Sequence, residues 1–297
     1  FAIVLLLALI VGGIGILDLG KVKAENDLVV NTYLNFKDLS RQVDVAMLSA
    51  RRSEKDYIMR LDDKYVGKVG EQMKIIQALE AEVMALEFLP EEDKIMARKV
   101  NDYAIEYQSL FTKVVAGYQR KGTTETGLVG EFRDEVHAIE KLVTEAKALQ
   151  LDVDMLTLRR NEKDYMLRGD NKYVDELLQN VKKFETDVGL SQLRRTDKES
   201  LLSHVETYEN LFLQVVNVDV EIAQNVQKFT AVIHEVEPLI EESVTSAQSL
   251  ADETTKAFNA TIRSAQSQMY VALFIAVILG VLMALYISGT IVNAINK

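Results

Sequence analysis

Apolar residues are continuous in two segments of the chain and are mixed with polar residues between them. Residues 1–17 (FAIVLLLALIVGGIGIL) and 269–287 (MYVALFIAVILGVLMALYI) are uncharged apolar runs, whereas the residues between them mix apolar and polar positions. A helix of roughly 20 apolar residues crosses the hydrocarbon core of a bilayer. We therefore predict a transmembrane helix in each run, with 18–268 between them on one side of the membrane. A secretory signal peptide is the alternative for 1–17, but no small-residue cleavage site follows that run.

Between the two runs, apolar positions recur every three or four residues, and the whole chain has only 2 prolines. This period predicts an all-α fold. The first soluble helix, for example, places Phe36, Val43, Met47 and Tyr57 on one face, which is typical of a helix-bundle core. Turn-forming and capping residues divide the region into six predicted helices, at 22–61, 63–89, 91–121, 128–168, 171–189 and 196–268.

The soluble region contains an internal repeat. Residues 51–66 read RRSEKDYIMRLDDKYV and residues 159–174 read RRNEKDYMLRGDNKYV, so that 11 of 16 positions are identical. A weaker similarity links YQSLFTKVV, which begins at Tyr107, with YENLFLQVV, which begins at Tyr208. Two matches in the same order predict that the region consists of two related halves.

Composition narrows the classes of function. The 45 acidic residues outnumber the 34 basic residues, and the net charge of -11 argues against a nucleic-acid partner. The chain has no cysteine, and His137, His204 and His234 stand at no ligand spacing, so we predict no metal site and no cofactor. Because it also lacks a phosphate-binding glycine loop and a GxSxG sequence, we predict that the protein is not an enzyme.

Each repeat copy lies on a helix that is apolar on two faces, one of which ends in an arginine. A buried arginine requires an anionic partner, and its guanidinium group matches a carboxylate with two parallel hydrogen bonds. The two such faces carry Val45, Leu48 and Arg52 in the first copy and Leu149, Val153, Leu156 and Arg160 in the second. We therefore predict a small-carboxylate site, with Arg52 and Arg160 as first candidates and with Arg51, Arg159, Tyr57 and Tyr165 as neighbouring candidates.

The same arginines also fit a structural role. Arg52, Asp56 and Arg60 are spaced by four residues, which allows a ladder of ion pairs along one helix, and Arg160, Asp164 and Arg168 repeat that spacing. Glu54 and Glu162, on the core faces, are expected to pair with a neighbouring basic residue. The sequence leaves the ladder and the ligand site as open alternatives.

The two apolar runs, the helical region between them and the paired RRxEKDYxxR sequences resemble the helical bimodular sensor domain of bacterial methyl-accepting chemotaxis receptors. The resemblance covers 18–268. It implies two stacked four-helix-bundle modules, a homodimer, and a periplasmic position outside the bacterial inner membrane. The ligands that it implies are small organic acids, namely dicarboxylates and acetate. Residues 288–297 resemble the start of a cytoplasmic HAMP linker, although Ala294 stands near a position where that linker commonly has proline.

Two other functions remain open from the sequence. A membrane histidine kinase can carry the same kind of outer domain, and the cytoplasmic signalling partners that would distinguish it act beyond Lys297. A helical stalk that only spaces a membrane from a partner would have no small-molecule site. In the sensor hypothesis, ligand binding favours one of two helix arrangements, and the last helix carries the change towards the membrane.

Overall fold

The structure is a computed structural model that describes residues 12–13, 15–16 and 20–295, with side chains as far as 291. The predicted transmembrane helix at 1–17 therefore lies almost entirely outside the described residues. Across the described residues the chain is helical, and it contains no β-strand apart from a single bridge between Thr123 and Thr126. The predicted all-α class is confirmed for this part of the chain.

A π-helical segment at Val29–Leu34 leads into seven α-helices within the described residues. They are α1 (Asn35–Arg60), α2 (Lys64–Ala85), α3 (Glu91–Lys121), α4 (Gly127–Glu145), α5 (Leu149–Arg168), α6 (Asn171–Leu190) and α7 (Arg195–Ile295). After a left-handed turn at Gly169, α6 packs along α5. The turn at Gly169 is therefore a reversal of chain direction.

The prediction of six helices was wrong, because the predicted helix at 128–168 is two helices, α4 and α5. The break lies at residues 146–148, where Lys147 has a left-handed backbone (φ 51°) and the Ala148 amide donates to the Val143 carbonyl. The turn contains only alanine and lysine, which are strong helix formers, and no glycine or proline. The sequence therefore gives no signal that the helix ends there.

Helix α7 is 101 residues long and contains Pro238. It includes the predicted second apolar run at 269–287, and it is the one helix in the described part of the chain that is long and apolar enough to cross a membrane. Its most apolar stretch is not buried by other residues. The predicted last helix therefore continues into this apolar segment without a break.

The chain divides into two compact units. Unit 1 comprises Phe1–Ser53, Gly67–Ile105 and His234–Lys297, and unit 2 comprises Glu54–Val66 and Glu106–Ile233. In unit 1, the predicted core face of α1 is buried at Phe36, Val43 and Met47. Polar contacts join α7 to its neighbours there, since Ser40 and Ser243 lie 3.1 Å apart.

In unit 2, four helices contribute to one apolar core. Its buried residues come from α4, α5, α6 and the first part of α7. Phe132 stacks on Tyr208 with ring centroids 4.8 Å apart, and Tyr165 meets the edge of Phe212 at 5.3 Å. Helices α3 and α7 also approach closely, because a Cβ atom at Gly117 would lie 2.6 Å from Cγ1 of Ile222.

Candidate functional site

The second half of each repeat copy forms a turn with the same side-chain contacts. In the first copy, Arg60 Nη1 donates to Tyr65 Oη at 3.2 Å, and Lys64 Nζ lies 4.8 Å from the centre of that ring. Arg168, Lys172 and Tyr173 repeat both contacts in the second copy. Cation–π contacts and hydrogen bonds of this kind hold a helix end against the next helix. This half of the repeat therefore has a structural role.

The predicted ion-pair ladder is present only in its second step. Arg60 pairs with Asp56 and Arg168 pairs with Asp164, each at 3.6 Å. Within the described residues, neither Arg52 nor Arg160 forms an ion pair. The ladder therefore accounts for the second arginine of each series and leaves the first one unexplained.

Arg52 and Arg160 are exposed on the surface of the single chain. The apolar residues that precede them are exposed too, with Leu48 at 58% and Leu156 at 68%. The expectation that these guanidinium groups are buried is wrong for the chain alone, because no other helix of the described part covers this face. Ligand contact by Arg52 and Arg160 remains a prediction that requires a covering partner.

Arg51 lies in unit 1 and forms an ion pair with Glu237 of α7. Its side chain is 28% exposed, and its Nε atom is buried with no hydrogen-bond partner in the described structure. Glu237 also lines a groove of about 560 Å³ between α1 and α7. The groove contains three carboxylates and no basic residue, since it is lined by Asp44, Met47, Leu48, Glu237, Ile240, Glu241, Val244 and Thr245.

Arg159 lies in unit 2 and is held by two carboxylates. Its Nη1 atom donates to Glu162 at 2.6 Å, and its Nε atom lies 3.6 Å from Glu140 of α4. Burial raises the pKa of Glu162 above its ordinary value, and the positive charge of Arg159 partly opposes that rise. The predicted pairing of Glu162 with a basic residue is confirmed. Arg159 is thus a half-buried cation whose present partners belong to the protein itself.

Glu54 is buried in unit 2 and accepts a hydrogen bond from Tyr107 Oη at 2.9 Å. The tyrosine comes from α3, and it is the first residue of the YQSLFTKVV sequence. The structure therefore gives Glu54 a partner on α3.

Tyr57 and Tyr165 are both buried in unit 2. Tyr57 packs edge-on against Phe111, with ring centroids 5.6 Å apart. The hydroxyl of Tyr165 donates to Asp219 at 3.4 Å, and burial together with the charge of Asp219 raises the pKa of Tyr165 to about 12. Asp219 also accepts from Lys121 Nζ at 2.6 Å. Both tyrosines therefore serve the packing of unit 2 in the chain alone.

The structure gathers the predicted site residues only in part. Tyr57, Tyr165 and Arg159 lie inside unit 2, Arg51 lies in unit 1, and Arg52 and Arg160 lie on the surface. The sequence interpretation missed their partners Glu237, Glu140 and Asp219, since each stands on another helix without a local motif. Among the described residues, no group of three histidines, cysteines or carboxylates could hold a metal ion.

Comparison with known protein families gives no match for this chain, and comparison with curated proteins gives no significant match.

Proposed function

We propose that this chain is the sensor region of a bacterial transmembrane receptor for small organic acids, dicarboxylates and acetate among them. In this proposal, residues 18–268 form two stacked four-helix modules outside the inner membrane, and two spans anchor them. The observation that carries it is the continuity of α7, which contains both Glu237, the partner of Arg51, and the apolar segment at 269–287. A change in the pairing of Arg51 with Glu237 would therefore act on the same helix that contains the proposed membrane span.

The chemistry of the arginines supports an organic acid as ligand. Arg51 and Arg159 are half-buried, and each is already paired with a carboxylate. A carboxylate ligand makes the same charge-assisted hydrogen bonds and can replace the glutamate that holds the guanidinium group. The acidic groove between α1 and α7 repels an anion, so we place the ligand at the arginines and not in that groove.

A homodimer is the second part of the proposal. The exposed faces that carry Val45, Leu48 and Arg52 on α1 and Val153, Leu156 and Arg160 on α5 have the same residue pattern. Apolar faces of this kind are typical of subunit contacts, and a two-fold axis would bring the same face of both copies together. The covered arginines would then face a small anion held between the copies. Output through a chemotaxis pathway follows from the resemblance.

Thermal shift of the 297-residue chain in detergent, with succinate and acetate as probes, tests this proposal. We expect at least one acid to raise the melting temperature, since a ligand that binds only the folded state stabilises it. Arg52→Ala, Arg159→Ala and Arg160→Ala should each weaken the binding by about tenfold or more, because each removes charge-assisted hydrogen bonds.

Arg195→Ala is the matched control, because Arg195 is 91% exposed and pairs only with Glu199 on its own helix. This variant should bind the acids as the parent chain does. If neither succinate nor acetate changes the melting temperature, the sensor function is refuted and the helical stalk remains as the alternative. Undiminished binding in all three test variants would move the site away from Arg52, Arg159 and Arg160.

A further inference from the structure

A tyrosine that follows each repeat copy is hydrogen-bonded in one half of the chain and not in the other. Tyr107 and Tyr208 begin the matching sequences YQSLFTKVV and YENLFLQVV. The Tyr107 hydroxyl donates to Glu54 at 2.9 Å. The Tyr208 side chain is fully buried in unit 2, and its hydroxyl has no hydrogen-bond partner among the described residues. A buried hydroxyl without a partner is rare, because it has lost water and gained nothing in exchange.

The partner that the repeat predicts for Tyr208 is Glu162, the counterpart of Glu54. Burial raises the pKa of Tyr208, the negative charge of Glu162 adds to that rise, and the positive charge of Arg159 opposes it. Its carboxylate is engaged by Arg159 instead, with distances of 2.6 and 2.5 Å from Nη1 to the two oxygens. The arginine thus holds the carboxylate that the repeat assigns to the tyrosine, and in this arrangement Tyr208 makes no hydrogen bond to it.

We propose that Arg159, Glu162 and Tyr208 form a partner-exchange switch, in which a small carboxylate that binds Arg159 releases Glu162 to accept a hydrogen bond from Tyr208. The inference rests on the proposed function and assigns Arg159 in unit 2 as the group that receives the ligand. No covalent bond forms or breaks. The guanidinium group exchanges one carboxylate for another, so its charge stays balanced throughout.

The exchange favours the ligand-bound state for a physical reason. In the free state the Tyr208 hydroxyl is unsatisfied, whereas in the bound state it gains a hydrogen bond to the carboxyl group of Glu162. Ligand binding shifts an equilibrium only through such a difference between two states. Tyr208 stands on α7, so the gained bond acts directly on the helix that continues into the apolar segment at 269–287.

A double-mutant cycle without any ligand tests the switch. Arg159→Gln removes the cation and imitates its capture by an anion. Tyr208→Phe in the parent chain should change the melting temperature by less than about 1 °C, because the deleted hydroxyl has no partner. In the Arg159→Gln background the same substitution should lower it by about 2 to 4 °C, which is the expected loss for one hydrogen bond in a chain of this size.

Tyr107→Phe is the matched control, and it should lower the melting temperature by the same amount with or without Arg159→Gln. Equal effects of Tyr208→Phe in both backgrounds would overturn the switch. If the Arg159→Gln chain does not fold, Arg159→Met replaces it in the cycle, because methionine also removes the cation and fills a similar volume with an adaptable apolar side chain.

A second measurement separates this inference from the proposed function. NMR of the parent chain with labelled tyrosine rings gives a Tyr208 signal, identified by its loss in Tyr208→Phe. Succinate or acetate should move that signal towards the Tyr107 signal. An acid that raises the melting temperature and leaves the Tyr208 signal unmoved refutes the switch and keeps the sensor function. Coupling in the cycle together with no response to succinate or acetate keeps the competition of Arg159 and Tyr208 for Glu162, but it overturns both the control of that competition by an acid and the sensor function.

Discussion

The two copies of the repeat agree in their turns and differ in their arginine-containing halves. Both turns use an arginine, a lysine and a tyrosine in the same arrangement. In the first halves, Arg51 pairs with Glu237 of another helix, whereas Arg159 pairs with Glu162 three residues further along its own helix. The turn contacts are thus repeated with the sequence, whereas the contacts of Arg51 and Arg159 depend on the carboxylates that other helices supply, Glu237 to Arg51 and Glu140 to Arg159.

The largest expected loss of stability is at a buried phenylalanine that each half of the chain has at the same position. Phe111 and Phe212 occupy the same position in YQSLFTKVV and YENLFLQVV, and both are almost completely buried. We expect Phe111→Ala and Phe212→Ala each to lower the free energy of unfolding by about 3 to 5 kcal/mol, as for other buried phenylalanines. Chemical denaturation measures it. A loss below about 1 kcal/mol in one variant only would show that the two halves do not share this core position.

A buried carboxyl group distinguishes the first half from the second. Glu80 of α2 occupies the position that matches Val188 of α6, and burial raises the pKa of Glu80 from 4.5 to about 8. The folded state therefore keeps a proton that the unfolded state releases. Stability from this group is fully present below pH 4.5 and is lost as the pH rises to about 8.

At 1.36 kcal/mol for each pH unit, the loss has an upper limit of about 5 kcal/mol. Denaturation of the parent chain and of Glu80→Val at pH 5, 7 and 9 measures it. The variant, which copies the second half, should lose this pH dependence and be the more stable chain at pH 9. A parent chain whose stability is level across that interval would contradict the assignment.

The turns themselves offer a smaller test. Leu61 and Gly169 occupy matching positions with left-handed backbones, at φ 50° and 65°. Leucine is strained there and glycine is not. Leu61→Gly should therefore raise the free energy of unfolding by about 0.5 to 1 kcal/mol, and Gly169→Ala should lower it by about 1 kcal/mol. Since a Cβ atom at Gly169 meets nothing within 4 Å, the second value isolates the backbone cost. Effects of the same sign in both variants would exclude this explanation.

The smallest expected effect is that of the exposed ion pairs at the turns. The side chains of Arg60 and Arg168 are 61% and 56% exposed. Asp56→Asn and Asp164→Asn remove the ion pairs and keep the contacts of the arginines with the tyrosines, so each should cost at most about 1 kcal/mol, because solvent screens such pairs. Thermal melts at low and high salt measure the contribution. A cost that is several times larger in one copy would show that its turn has a further role.

The sequence was sufficient for features that depend on local period and spacing. The core face of α1 at Phe36, Val43 and Met47, the turn at Gly169 and the unbroken last helix are such features. It was insufficient for the break at 146–148, which ordinary helix-forming residues occupy.

The partners of the arginines were not predictable for another reason. Glu140 and Glu237 lie far from the motif in sequence, and their contacts arise only from the packing of helices. The exposure of Arg52 and Arg160 could not be read from period either, because an apolar face looks the same whether its own chain or a second copy covers it. The matching sequences YQSLFTKVV and YENLFLQVV did allow one comparison between the two halves, since they mark Tyr107 and Tyr208 as equivalent positions.

The close approach of α3 and α7 at Gly117 restricts how α7 can move. With Ile222 already near the α3 backbone, an axial slide of α7 by one residue, about 1.5 Å, would drive a branched side chain into the neighbouring turn of α3. Either Ile222 must change its rotamer or the two helices must move as one body. Piston-like displacement of α7 alone is thereby made costly, and joint motion of the pair becomes the easier route.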